Sequence, residues 1–74
     1  MKITIEVRTP DTEIVRKALK TEIESAPYTK TRITLSVEDN VIYIESETDD
    51  IRALRGTFNS VMNWLIAVLD SLSL

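Results

Sequence analysis

The sequence predicts an α+β domain in which two helices cover one face of a three-stranded, mainly antiparallel sheet, in the order β-α-β-β-α. Three observations favour this class. Residues 2–8 alternate apolar and polar side chains, residues 31–45 contain two further alternating segments around a short turn, and residues 48–74 repeat apolar side chains at helical spacing. We expect one domain over residues 1–74, because a chain of this length has room for one modest core.

The first strand should lead directly into the first helix. The two-residue alternation of residues 2–8 indicates a strand with one wet face. It ends at Thr9, which is expected to cap a helix with Pro10 in its first position. This helix should end near Ser25, because the residue before Pro27 is disfavoured in the helical conformation. Its predicted apolar stripe consists of Val15, Ala18, Leu19 and Ile23, with Ile14 at the margin.

The middle of the chain predicts a β-hairpin. Residues 31–37 alternate strictly, and Asp39-Asn40 then supplies two residues that tolerate the left-handed conformations of tight turns. Residues 41–45 form the predicted return strand. Its side chains divide into Ile42 and Ile44 on one face and Val41 and Tyr43 on the other.

The last third of the chain predicts one long helix over residues 48–74. Its start offers several caps, namely Ser46, Thr48 and Asp49, with Asp50 also in the first turn. The stripe assigned to the core comprises Ile51, Leu54, Phe58, Met62, Leu65 and Leu69. The opposite side carries Ala53, Gly56, Ser60, Trp64, Ala67 and Ser71, where a solvated helix normally carries charges.

This opposite side is the candidate interface, and we call Ala53, Gly56, Ser60, Trp64 and Ala67 the small-residue groove. Gly56 is the only glycine in the sequence. Inside a helix, glycine costs about 1 kcal/mol relative to alanine, so we expect a specific role for this residue. A second helix could approach closely there, with Trp64 as an anchor. The alternative is that this side rests on the chain's own first helix. The predicted partner-binding residues are Ala53, Arg55, Gly56, Asn59, Ser60, Trp64 and Ala67.

Composition argues against several function classes. The chain has neither cysteine nor histidine, so disulfides, thiolate nucleophiles and the commonest metal ligand are missing from its sequence. We therefore expect no enzyme activity, no cofactor and no metal. Asp49-Asp50 is interpreted as a helix-capping pair. Without a signal peptide or a membrane-length apolar run, a cytoplasmic protein with no membrane partner is expected.

Two arginines leave nucleic-acid binding as an alternative function. Arg52 and Arg55 lie near the positive end of the last helix, where cations are mildly unfavourable. They could contact phosphate or a partner's carboxylates, or Arg52 could pair locally with Asp49. The alternative function is thus a small tRNA-binding module using Arg52, Arg55 and the first-helix lysines Lys17 and Lys20, although the net charge of −3 disfavours it. A stand-alone enzyme is a third and weaker hypothesis.

A family resemblance rests on the last helix. Ala53-Leu54-Arg55, Asn59-Ser60 and Trp64-Leu65, after a strand and an acidic turn, resemble the small dimerising (Pcc1-type), archaeal-like subunits of the KEOPS complex. That complex participates in threonylcarbamoyladenosine (t6A) modification of tRNA. Two positions depart from the family: Gly56 stands where alanine is common, and Asn63 stands where a basic residue is frequent.

The resemblance implies a non-catalytic scaffold. Its implied partners are a second copy of the chain and the catalytic, ATPase-fold subunit of KEOPS, with a kinase-family subunit and a further small subunit bound elsewhere. Carried over by position, Arg55, Asn59, Ser60 and Trp64 are assigned to partner contact or its support. We expect the sheet edge or outer face to form the homodimer and the helical layer to dock the enzyme. Any tRNA contact within the complex is assigned to Arg52 and Arg55, and Asn63 weakens that assignment.

Overall fold

The computed structural model describes residues 1–26 and 30–72, and it confirms the predicted order of elements and the α+β class. The elements are β1 (Lys2–Arg8), α1 (Thr12–Ser25), β2 (Arg32–Glu38), β3 (Val41–Glu47) and α2 (Ile51–Leu72). The first helix ends at Ser25 as predicted, while Pro27, the reason given for that end, lies outside the described residues. The last two residues of the predicted long helix also lie outside them.

The sheet is fully antiparallel, with β3 between β1 and β2. Its inner face consists of three rows across the strands: Ile3–Ser46–Ile33, Ile5–Ile44–Leu35 and Val7–Ile42–Val37. Side chains of both helices pack on these rows. The buried core cluster is Val15, Leu19, Ile42, Ile44, Val61 and Leu65.

The hairpin has the predicted turn but a longer return strand. Asp39 has a φ of 56°, the left-handed conformation that the turn requires. The third strand continues to Glu47, two residues beyond the predicted end. Ser46, predicted as one alternative helix cap, is instead a buried residue of this strand.

The start of α1 differs from the prediction. The helix begins at Thr12, with Asp11 in the capping position but without a side-chain capping bond. Thr9 does not cap it: its hydroxyl accepts a hydrogen bond from the backbone N–H of Asp11 at 3.1 Å and closes a turn around Pro10. Thr9 is held there because its own N–H donates to the carbonyl of Asn40 at 3.0 Å.

The cap of α2 is Asp50, which the sequence had placed inside the first turn. Its Oδ1 accepts hydrogen bonds from the N–H groups of Arg52 at 2.9 Å and Ala53 at 3.3 Å. Thr48 supports this arrangement from one step earlier, since its hydroxyl accepts from the N–H of Asp50 at 3.2 Å. Asp50 therefore satisfies two of the backbone donors that a helix start leaves unpaired.

The core-facing stripe of α2 is also rotated from the predicted one. Its buried residues are Leu54, Thr57, Val61 and Leu65. Leu54 and Leu65 were predicted correctly, and Met62 packs against the core as a half-buried residue. The predicted core residues Ile51, Phe58 and Leu69 are exposed. The pattern was ambiguous because apolar residues occupy more than one side of this helix, so packing on the sheet decides which side is buried.

Candidate partner-binding surface

The most prominent exposed apolar feature in the described part of the chain lies along α2. We call it the outer flank, and its members are Ile51 (56% exposed), Phe58 (36%), Ile66 (54%) and Leu69 (38%). At about 100° per residue these four positions fall within an arc of roughly 80°. Isolated exposed apolar side chains are ordinary, but a row of them along one helix is typical of a contact surface.

Packing on the adjacent side fixes how α2 presents this flank. Val61 and Thr57 are fully buried beneath the helix, and Leu54 and Leu65 are nearly so. The Thr57 hydroxyl also donates a hydrogen bond of 3.1 Å to the hydroxyl of Thr31, just before β2. These contacts hold one side of α2 against the sheet, so the outer flank cannot turn inward without breaking the core.

The small-residue groove lies on the other margin of α2 and is only partly open. Ala53, Ser60 and Trp64 are half-buried, whereas Gly56 and Ala67 are exposed. Trp64 packs against the hydrophobic core, so part of its indole is structural. At Gly56, an added Cβ would meet no atom within 4 Å beyond its own helix turn. Among the described residues, nothing therefore covers the groove at Gly56, and the first helix does not explain the glycine there.

The remaining predicted residues lie on the solvent side of α2, with Arg52 and Asn59 between these two surfaces. Arg52, Arg55 and Asn59 are all exposed. At helical spacing, Arg55 falls within the arc of the outer flank, while Asn59 and Arg52 lie farther from the core. The structure thus places Arg55, Gly56, Asn59 and Ala67 on exposed α2 and sets Ala53, Ser60 and Trp64 at its margin with the core.

Sequence reasoning missed the outer flank as a surface. It assigned Ile51, Phe58 and Leu69 to the core and gave Ile66 no role. The available signal was an excess of large apolar residues: one buried stripe cannot accommodate Ile66 together with Phe58 and Val61, since these positions spread over more than about a third of the helix circumference.

The arginines of α2 are not neutralised as the local alternative proposed. In the described part of the chain, no ion pair joins Asp49 to Arg52, and Asp50 instead lies 3.9 Å from the ammonium of Lys30. The first-helix cations are partly engaged, since Arg16 pairs with Glu13 at 3.1 Å and Lys20 lies 3.9 Å from Glu24. The Arg16 hydrogen bond and charge lower the pKa of Glu13, and Glu13 in turn raises the pKa of Arg16.

Within residues 1–26 and 30–72, no group of three or more acidic, histidine or cysteine side chains is placed to hold a metal ion. In the same ranges, neither helix combines the length and the apolar character needed to span a bilayer.

The fold and this surface define a small two-layer α+β protein whose long helix presents uncovered apolar side chains. The chain belongs to the Pcc1 family: the family model described as "Transcription factor Pcc1" matches residues 1–73. It is also 36% identical over 74 residues to the KEOPS complex subunit Pcc1 of Pyrococcus abyssi (strain GE5 / Orsay), a match that covers 99% of this chain and 90% of that relative. The family resemblance seen in the motifs of the last helix is thereby confirmed.

Proposed function

We propose that the chain, as one domain of residues 1–74, is a non-catalytic scaffold subunit of a cytoplasmic KEOPS complex that supports t6A modification of tRNA. The observation that carries this proposal is the similarity to a KEOPS complex subunit Pcc1 over 99% of the chain. Because so little of the chain is unmatched, the similarity includes every element that would form the scaffold.

The finer proposal is that α2 docks the catalytic, ATPase-fold subunit of the complex. Two features support it. The outer flank exposes Ile51, Phe58, Ile66 and Leu69 on one rigid helix, and burying such side chains contributes about 25 cal/mol for each Å² removed from water. The small-residue groove offers a second, closer approach at Gly56. Partner helices resting on both margins of α2 would complete a small helix bundle.

Homodimerisation is the other part of the proposal. The three-stranded sheet ends in β1 on one side and β2 on the other, and open edges of this kind favour pairing with a further strand. Two copies would then present two α2 helices, so that each copy holds one catalytic subunit.

Binding of the purified chain to the catalytic ATPase-fold subunit tests the docking, with isothermal calorimetry as the readout. Ile66→Asp should weaken binding at least about tenfold, because a carboxylate would be desolvated in an apolar contact. Ile14→Asp is the matched control: Ile14 on α1 is 55% exposed, against 54% for Ile66, and should bind as the unchanged protein does.

Gly56→Leu probes the groove separately, since it fills the open space without removing a core contact. If Ile66→Asp and Gly56→Leu both bind normally, α2 is not the docking element. If the unchanged protein fails to bind at all, the scaffold proposal itself is wrong. A t6A assay on the reconstituted complex, with and without this chain, then connects binding to function.

A further inference from the structure

The edge of the sheet at β1 has apolar surface that the described part of the chain does not cover. Within that part, β1 pairs with β3 on one side and has no neighbouring strand on the other. Its inward side chains Ile3, Ile5 and Val7 are only half-buried, although the residues opposite them in β3 are buried. The apolar rows of the inner face therefore reach the edge without being fully covered.

The outer flank of α2 faces this edge. Of the two helices, α2 packs over β1 and β3, and α1 packs over β2 and β3. Thr57 is directed toward β2, because its hydroxyl bonds to that of Thr31 just before that strand. Next to it around the helix, Val61 is fully buried. The outer flank begins about 60° beyond Val61 on the side away from Thr57, so it faces the free edge of β1.

The flank also extends along the whole edge. Met1 pairs with Thr48 at the end of the β1–β3 ladder, so α2 begins beside the first residues of β1. At about 1.5 Å per residue, Phe58 lies about 10 Å farther along α2 than Ile51, and Leu69 lies about 27 Å farther. The strand itself spans about 20 Å. These three apolar side chains are thus spread from the start of the edge to just beyond its end.

Every second residue of β1 directs its backbone N–H and C=O groups to the free edge. Met1 and Thr48 exchange two backbone hydrogen bonds, of 2.9 and 3.0 Å, and the N–H of Thr9 donates to the carbonyl of Asn40 at 3.0 Å. Bonded and non-bonded pairs alternate in an antiparallel ladder, so the odd-numbered residues of β1 bond to β3. The residues with outward backbone groups are Lys2, Thr4, Glu6 and Arg8.

The charged side chains at this edge select against a second copy of the chain. An antiparallel pair of two β1 strands centred on Ile5 would place Lys2 opposite Arg8 at both ends, where like charges destabilise the pair. Lys2 already lies 3.4 Å from Glu45, whereas Glu6 and Arg8 have no ion-pair partner among the described residues. The edge is therefore suited to a strand of different sequence that supplies opposite charges.

We propose that β1 accepts an extended segment of another protein as a fourth, antiparallel strand of the sheet, beneath the outer flank of α2. The chemistry of this segment follows from the edge. Apolar residues lie opposite Ile3, Ile5 and Val7, where they extend the rows of the inner face and contact the flank. On the outer face, acidic residues lie opposite Arg8 and Lys2, a lysine opposite Glu6 and a threonine opposite Thr4. Written in its own chain direction, such a segment is Glu-Val-Lys-Val-Thr-Val-Glu.

This inference goes beyond the docking of the catalytic subunit proposed above. Ile66 lies about 140° around the helix from the fully buried Val61, so its side chain is directed away from the sheet. A strand on β1 therefore leaves Ile66 and the small-residue groove available to the catalytic subunit. The two kinds of binding can be measured separately.

Binding of the synthetic peptide Glu-Val-Lys-Val-Thr-Val-Glu to the purified chain tests the proposal, with fluorescence anisotropy as the readout. The unchanged protein should bind this peptide with a micromolar dissociation constant and the charge-reversed peptide Lys-Val-Glu-Val-Thr-Val-Lys at least about tenfold more weakly. The reversed peptide is a stringent control, because non-specific attraction to a chain of net charge −3 would favour it.

Variants of the protein locate the peptide on the sheet. Glu6→Lys should weaken binding at least about tenfold, and replacing the lysine of the peptide by glutamate should restore it. Glu38→Lys, at an exposed glutamate of β2, is the matched control and should bind as the unchanged protein does. On the flank, Ile51→Ser should weaken binding at least about threefold, whereas Ile14→Ser on α1, 55% exposed against 56% for Ile51, should have no effect.

Backbone pairing is tested by hydrogen exchange and by N-methylated peptides. Bound peptide should slow exchange of the N–H groups of Thr4 and Glu6, which face the free edge, and change little at Ile5, which already bonds to β3. Methylating the backbone nitrogens of the peptide's lysine and threonine should abolish binding, because these residues pair with Glu6 and Thr4. Methylating its valine nitrogens, which face away from β1, should not.

Two results would overturn the added strand. One is that the unchanged protein fails to bind the peptide or binds the charge-reversed peptide equally well. The other is that Glu6→Lys or methylation of the lysine and threonine nitrogens leaves binding intact. Neither result touches the proposed scaffold function, since Glu6→Lys should bind the catalytic subunit normally and Ile66→Asp should not.

Discussion

The hydroxyl of Thr57 donates a hydrogen bond of 3.1 Å to the hydroxyl of Thr31, and this bond joins the core-facing side of α2 to the segment that enters β2. Thr57 is fully buried although it is polar. In the described part of the chain, no buried side-chain nitrogen or oxygen is left without a partner. The bond therefore explains how a threonine occupies a position that the apolar pattern would give to valine or leucine.

Replacing Thr57 by valine should lower the free energy of unfolding by about 1 kcal/mol. Valine keeps the shape of threonine but removes the donor, so the half-buried Thr31 hydroxyl loses its partner. Urea denaturation measures the change. Thr21→Val is the control, since Thr21 is exposed and its hydroxyl donates only to the carbonyl of Lys17; its effect should stay within about 0.5 kcal/mol. Equal effects of the two substitutions would contradict a structural role for the Thr57 bond.

Replacing Asp50 by alanine should destabilise the protein by about 1 kcal/mol, because two backbone donors at the start of α2 lose their acceptor. Asp50→Asn separates this cap from the ion pair with Lys30, since asparagine retains a capping oxygen without the charge. We expect Asp50→Asn to cost less than Asp50→Ala in thermal denaturation. Asp49→Ala, at the exposed neighbouring position, should have almost no effect on thermal stability. A larger loss of stability for Asp49→Ala than for Asp50→Ala would mean that Asp50 is not the cap.

The fold was predictable because local patterns and the tertiary structure agree. The alternation of apolar and polar residues determines which face of each strand is buried, and Asp39 marks the turn between β2 and β3. The helix starts were less predictable, because several residues with capping side chains follow one another. Only the structure shows that Thr48 closes the turn before the helix while Asp50 reaches the N–H groups of its first turn.

The candidate site was harder to predict for a different reason. In α2 the buried stripe and the exposed apolar flank are adjacent, so spacing alone allows either Phe58 or Val61 to face the sheet. Large side chains favoured the first choice, whereas in the structure Val61 and Thr57 are fully buried and the Thr57 hydroxyl bonds to that of Thr31. The openness of the helix at Gly56 is likewise a property of the folded chain, since sequence leaves the position of the first helix undetermined.

This rotation of α2 can be tested by truncating one residue on each side. Val61→Ala should lower the free energy of unfolding by about 2 kcal/mol, because it removes fully buried methyl groups and leaves a cavity. Ile66→Ala, at a position that is 54% exposed, should cost less than about 1 kcal/mol. Guanidinium denaturation of both variants provides the comparison. A larger loss at Ile66 would mean that the outer flank is core after all.

The Glu13–Arg16 pair predicts a small pH effect on stability. The pKa of Glu13 is lowered in the folded protein, so its contribution is present above the unfolded pKa of that carboxyl and is lost as pH falls through the folded value. The raised pKa of Arg16 places its own loss at strongly alkaline pH. Arg16→Gln should therefore be slightly destabilising at neutral pH and without effect in acid, and added salt should shrink the difference, since both groups are near the surface. Thermal denaturation across the acid range measures it, and a pH-independent difference would assign the Arg16 effect to packing.

Substitutions of Gly56 should affect the stability of the protein and its partner binding differently. Alanine at this position should stabilise the isolated protein by about 0.5–1 kcal/mol, because glycine is a poor helix former and the added Cβ meets no atom within 4 Å. The docking proposed above would account for a glycine at this position, because an added Cβ meets nothing in the described chain. Gly56→Ala should consequently raise the melting temperature while leaving partner binding unchanged or slightly weaker. Gly56→Leu should retain a normal melting temperature and lose affinity for the catalytic subunit. If Gly56→Ala proved destabilising, a contact within the folded chain would account for the glycine, and the groove would lose its strongest support.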